Sequence, residues 1–148
     1  PGLALGRDPV RTPMPWDGSG NAGFTTAKPW LPLNADWPAR NVARMAAEPH
    51  SILTLYRRLL AVRRAHPALA IGDFALLDSA GDVLAYERRH GAARLIVALN
   101  LGGLSQRLEL PDWANDCRVL LSTLADAALP GDGAVLLRAD EGLILMAN

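Results

Sequence analysis

Hydrophobic and polar positions divide the chain into three stretches. Between Ser51 and His66, the residues Ile52, Leu55, Tyr56, Leu59, Leu60 and Val62 recur at helical spacing, while Arg57, Arg58, Arg63 and Arg64 take the opposite side. This pattern predicts an amphipathic helix. Ser51 is its expected N-cap behind Pro49, the arginines near its far end suit the helix dipole, and Pro67 stops it.

From about Gly72 onward the pattern changes to short apolar runs: Phe74–Leu77, Val83–Arg88, Arg94–Leu101, Leu104–Leu110, Arg118–Ser122, Ala134–Arg138 and Gly142–Met146. Asp78-Ser79-Ala80-Gly81, His90-Gly91, Leu101-Gly102-Gly103-Leu104 and Pro130-Gly131-Asp132-Gly133 supply the turn chemistry between antiparallel strands. About seven strands at this spacing predict a mainly β fold, an antiparallel β-sandwich of Greek-key type. The first stretch, to about Pro49, has neither period. Prolines at 1, 9, 13, 15, 29, 32, 38 and 49 prevent a long helix or a central strand. An irregular segment of that length is uncommon in a compact domain and is usually functional, so this one is expected to lie against something.

Composition narrows the classes. The 148 residues match one domain of about 100 to 200 residues, and half of them are hydrophobic, as a globular chain requires. Fifteen basic residues balance fifteen acidic ones, and no basic stripe is present, which argues against nucleic acid as a partner. Cys117 has no second cysteine to pair with and precedes an apolar run, so it reads as a buried, inert thiol. No apolar run approaches the roughly 20 residues of a membrane span, and no cationic leader is visible. Together with the lone cysteine, this favours a cytoplasmic location. The opening Pro1-Gly2-Leu3, without an initiator methionine, reads as a truncated start.

A search for catalytic constellations is mostly negative. His50, His66 and His90 fall at a helix start, a helix end and a hairpin turn, with no metal-ligand spacing between them. Gly102-Gly103 and Gly131-Asp132-Gly133 are too short to cradle phosphate and lead into strands. The acids of the β stretch stand singly at strand ends, as a solvated rim requires. No metal or cofactor is called for. The dense polar cluster is Arg7-Asp8-Pro9-Val10-Arg11-Thr12-Pro13-Met14-Pro15-Trp16-Asp17, which packs two guanidinium groups, two carboxylates and an indole into an extended, proline-stiffened segment. Arg7 with Asp8, or Arg11 with Asp17, could pair merely to pin the loop. Alternatively, guanidinium forks suit sugar hydroxyls and indole faces suit sugar rings, with Phe24, Trp30 and Trp37 as further aromatic candidates.

The run from Gly6 to Asp17, then Asn21-Ala22-Gly23-Phe24, Lys28-Pro29-Trp30-Leu31-Pro32, Asn41-Val42, the Ser51–Arg64 helix and Pro67-Ala68-Leu69, resembles the α-glucosidases and oligo-1,6-glucosidases of glycoside hydrolase family thirteen. About half the chain carries the specific motifs; Pro15 departs from the glutamine common in relatives. The resemblance implies that residues 1–70 are the end of a (β/α)8 catalytic barrel and 71–148 an appended β-sandwich. It implies a retaining enzyme with two carboxylates about 5 to 5.5 Å apart. Those acids would sit upstream, leaving no catalytic residue here and the segment alone inactive. Its partners would be the upstream barrel and an oligosaccharide or disaccharide. By the same resemblance Arg11 lines the subsite for the non-reducing glucose, Trp16 shapes the pocket rim, and Arg7, Asp8 and Asp17 are structural residues of the loop. The Ser51–His66 helix would leave its apolar stripe partly exposed without the barrel. Trehalose synthases and sucrose isomerases share the loop, and a free-standing glycan-binding sandwich is the alternative of another class.

Overall fold

The computed structural model describes residues 6–124, 126 and 132–148. Two compact units result, one running to Thr54 and one from Leu55 to Asn148. The first unit is built almost wholly of turns. Three-residue and four-residue 3-10 turns cover Asp8–Val10 and Gly20–Gly23, and a six-residue helix, α1, spans Val42–Ala47. The sequence pattern predicts no helix at α1, because six residues are too few to display a period.

The predicted amphipathic helix is α2, Ile52–Ala65, followed by the single turn α3, Ala68–Ile71. Ser51 caps α2 as expected, its Oγ accepting from the Thr54 amide at 3.1 Å. Leu55 and Val62 pack on the β-sheet described next, whereas Ile52, Tyr56, Leu59 and Leu60 stay exposed. The expected open stripe is therefore present, but only on the side of the helix that faces away from the sheet.

Seven strands follow among the described residues: β1 Asp73–Leu76, β2 Val83–His90, β3 Ala93–Asn100, β4 Gln106–Glu109, β5 Arg118–Ser122, β6 Ala134–Leu137 and β7 Gly142–Met146. They form a five-stranded antiparallel sheet in the order β1-β2-β3-β7-β5 and a separate β4-β6 pair. β2 and β3 join through Gly91-Ala92, with Gly91 at φ +59°, a value that favours glycine at a tight turn. Of the predicted turn at 130–133, Pro130 and Gly131 lie outside the described residues.

The run Leu95-Ile96-Val97-Ala98 is buried throughout because both faces of β3 are covered, the condition under which strands lose alternation. On one face Ile96, Ala98, Leu143 and Leu145 meet Leu108, Val135 and Leu137 of the β4-β6 pair, together with Cys117. On the other, Leu95, Val97, Leu121 and Ile144 meet Ala68, Leu55 and Val62 of the helices. Arg88 ties helix to sheet, donating to the carbonyls of Ala68 (3.1 Å), the first residue of α3, and Gly72 (2.8 Å), just past its last. Among the described residues no helix is long and apolar enough to cross a membrane.

One acid departs from the solvated-rim expectation. Glu141, before β7, is only 2% exposed. It accepts from the Arg138 guanidinium at 2.8 and 3.0 Å, from the Arg138 amide at 2.9 Å and from Ser122 Oγ at 2.8 Å. The neighbouring Asn100 side chain, also buried, donates to the carbonyls of Leu104 and Arg138 and accepts from the Gly102 amide. Arg138 is thus a structural partner of a buried carboxylate and not a mere surface charge. These bonds, the Arg138 guanidinium foremost, hold the Glu141 carboxyl down to about 2 from its ordinary 4.5, against the opposing effect of burial.

Because the folded value lies below the unfolded one, the stabilisation is complete above pH 4.5 and fades as pH falls toward about 2. Glu141→Gln is expected to cost about 2 kcal/mol at pH 7, the scale of a charged hydrogen bond, and to flatten that acid dependence. Urea unfolding at several pH values checks both. An unchanged midpoint at pH 7 would show the network to be idle.

Candidate functional site

The unit ending at Thr54 holds every residue that the sequence singled out for binding. Its side chains bury little: among the described residues of this unit only Pro13, Ala22, Asn41 and Ser51 are buried. Backbone hydrogen bonds, not a core, give it shape.

Those bonds converge on Trp16. Its amide donates to the Ala22 carbonyl at 2.8 Å, joined by the Asp17 amide at 3.3 Å. On the other side, the carbonyls of Pro15 and Trp16 accept from Val42 (3.0 Å) and Ala43 (2.9 Å), the first amides of α1. A helix start otherwise leaves such amides without partners. The third is taken by Asn41 Oδ1, which accepts from Arg44 at 3.0 Å, and Asn41 Nδ2 donates to the Trp37 carbonyl at 3.0 Å. The short helix and the loop therefore complete one another.

The turn that grips the Trp16 amide has three successive left-handed residues, Asn21 (φ +52°), Ala22 (φ +58°) and Gly23 (φ +66°). Alanine resists this region, and the turn persists because Asn21 Nδ2 donates to the carbonyls of Thr25 and Ala27, each at 3.1 Å. Asp17 lies against Gly23, where a Cβ would stand 2.7 Å from its carboxylate. Its Oδ1 accepts from the Ser19 hydroxyl and, at 2.8 Å, from the Ser19 amide, and the two bonds hold its carboxyl below the ordinary range.

Of the sequence-selected residues, Arg7, Asp8 and Arg11 share the first 3-10 turn, in which the Arg11 amide donates to the Asp8 carbonyl at 3.0 Å. All three are exposed. Among the described residues no ion pair links Arg7 or Arg11 to Asp8 or Asp17, so the pairing offered as the plain alternative is not formed. Asp17 serves the loop through Ser19 instead. Trp16 and Phe24 are half exposed, and Trp30 stands 95% exposed. Sequence reasoning passed over Asn41 as a residue with a role of its own. The signal available was an asparagine immediately before α1, the N-cap preference.

A family model described as "Alpha amylase, catalytic domain" matches residues 3–72. The chain is 44% identical over 104 residues to a glucan 1,6-alpha-glucosidase of Streptococcus pneumoniae, an alignment covering 70% of this chain and 19% of that protein. It is 38% identical over 122 residues to an oligo-1,6-glucosidase of Heyndrickxia coagulans, covering 82% and 22%. The chain thus spans about a fifth of the length of these curated relatives. Among solved structures, the trehalulose synthase MutB of Pseudomonas mesoacidophila superposes with a TM-score of 0.84 at 33% identity, covering 96% of this chain and 26% of that one. A variant of MutB has been crystallised with its substrate sucrose.

The left-handed turn makes a local prediction. Gly23→Ala forces a side chain into a positive-φ position and into Asp17, and should cost about 1 to 2 kcal/mol. Gly20→Ala, with open space and no positive φ, should change stability by less than about 0.5 kcal/mol. Denaturant unfolding of both variants tests this, and equal midpoints would mean that the turn is not held as described.

Proposed function

We propose, from the match of residues 3–72 to the α-amylase catalytic domain and the likeness to named glucosidases, that this chain is the closing part of a retaining α-glucosidase of the α-amylase family. Residues 1–70 end the catalytic barrel and 71–148 form the appended β domain. The enzyme removes terminal α-linked glucose from maltose or isomalto-oligosaccharides, using a carboxylate nucleophile and an acid/base carried by a part of the protein that this sequence does not include. The role of this chain is to hold the terminal glucose, with Arg11 as the principal contact and Trp16 at the rim.

The observation that carries this reading is the Arg11 guanidinium, an exposed cation without an ion-pair partner among the described residues, on a loop whose backbone is pinned on both sides of Trp16. A cation on a floppy loop would be ordinary solvated surface. A planar fork at the end of a stiff segment can present fixed donors to paired sugar hydroxyls. Hydrolysis leads over isomerisation because the relatives at 44% and 38% identity are named glucosidases. The second reading, a sucrose isomerase, draws on the likeness to trehalulose synthase. Sugar analysis after incubation with sucrose separates the two: released glucose and fructose support the hydrolase, and an isomer of sucrose supports the alternative.

Two outcomes are expected. In the complete enzyme Arg11→Ala should lower kcat/KM by roughly 30-fold to several thousand-fold, the range for losing a charged partner at a desolvated site, and Arg11→Lys should restore little. Near-normal kcat/KM in folded Arg11→Ala would overturn the assignment. This sequence expressed alone should cleave neither maltose nor isomaltose, and turnover above a denatured control would contradict the reading.

A further inference from the structure

The described surface holds other features that carry no site. The groove beside Glu109, Asp112, Asp116 and Asp132 is a cluster of acids, two of them already paired to Arg107. The open face of α2 has nothing seated on it. The clamp around Trp16 carries an inference further.

We propose that Asn41 is a positioning residue for substrate binding, acting through Trp16 on Arg11; this rests on the reading of Arg11 given above. Asn41 is 1% exposed and cannot touch a sugar itself. Its side chain bonds on both sides: Oδ1 closes the first turn of α1 at the Arg44 amide, and Nδ2 anchors that turn to the Trp37 carbonyl, with a longer bond to the Pro38 carbonyl. The turn so fixed points the Val42 and Ala43 amides at the carbonyls of Pro15 and Trp16. From there the chain back to Arg11 has little freedom. Of the six residues Arg11 to Trp16, Pro13 and Pro15 have φ locked by their rings, and Thr12 and Met14 are restricted because each precedes a proline. Placement set at Trp16 is therefore transmitted to Arg11 along a stiff segment. Misplacing a binding group by about 1 Å is enough to cost affinity or rate.

The role differs from simple structural support in what it predicts for kinetics. A residue that only keeps the protein folded lowers the amount of active enzyme and leaves KM unchanged. A positioning residue for a ground-state contact raises KM and leaves kcat nearly intact. The experiment is a double-mutant cycle in the complete enzyme, with maltose and isomaltose as substrates and active enzyme counted independently. Asn41→Ala should raise KM about tenfold with kcat within about threefold, and in an Arg11→Ala background should raise it less than about twofold, since the contact it positions is already gone.

Asn41→Ser keeps an oxygen for the Arg44 amide and loses the donor to Trp37. It should give a smaller KM rise with the same dependence on Arg11, and it decides the matter if Asn41→Ala does not fold. A folded Asn41 variant with unchanged KM, or one whose KM rise is as large without Arg11 as with it, overturns the proposal while leaving the Arg11 reading in place. An Arg11→Ala enzyme with unchanged KM and kcat overturns the functional reading and this inference with it.

Discussion

The arrangement of the whole first unit depends on one constraint: the first amides of a helix must find acceptors. α1 has six residues, far short of the dozen or more at which a helix becomes marginally stable by itself. Its amides are satisfied by carbonyls of Pro15 and Trp16, more than twenty residues earlier in the chain, and by the side chain of Asn41. Helix and loop each remove the other's unsatisfied groups. The left-handed turn at Asn21–Gly23 closes the arrangement from the opposite side by taking the Trp16 amide. A proline-stiffened segment ending in a guanidinium with no ion-pair partner among the described residues is the result, and that is the feature on which the functional proposal stands.

The second unit is stabilised differently. A central strand buried on both faces, the β4-β6 pair on one side and two helices on the other give it a continuous apolar core. Among its described residues the one buried acid, Glu141, is compensated by hydrogen bonds from Arg138 and Ser122, and so contributes to the closure of the β6-β7 connection without an uncompensated charge. The contrast between the units matters for function. A segment that buries four side chains among its described residues gains little from the hydrophobic effect to offset the entropy of ordering nearly fifty residues. This is the energetic profile of a loop shaped to lie against a larger body, and it agrees with a chain that spans about a fifth of its relatives.

Much of this was legible in the sequence where the signal is local. The period of Leu55, Leu59 and Val62 announced α2, Ser51 its cap, and the apolar runs and glycine turns all seven strands within a residue or two at most boundaries. What was not legible depends on distant partners. α1 has no period of its own and exists because of Pro15 and Trp16. Glu141 looked like any strand-end acid until folding brought Ser122, nineteen residues away, alongside it. Ala22 gives no hint of a positive φ, because the carbonyls that reward the conformation come from Thr25 and Ala27 through Asn21. Arg11 could be picked out from its neighbours by resemblance alone; composition and spacing left it equal to Arg7.

In the proposed enzyme the pinned loop presents Arg11 to the terminal sugar. The most direct measurement is a crystal structure of the complete enzyme, its nucleophile disabled, with maltose or isomaltose bound. Guanidinium nitrogens of Arg11 are expected within about 3 Å of hydroxyls on the non-reducing glucose, with the Trp16 backbone still bonded to Ala22 and Ala43. A guanidinium turned to solvent or paired to a carboxylate away from the sugar would contradict it.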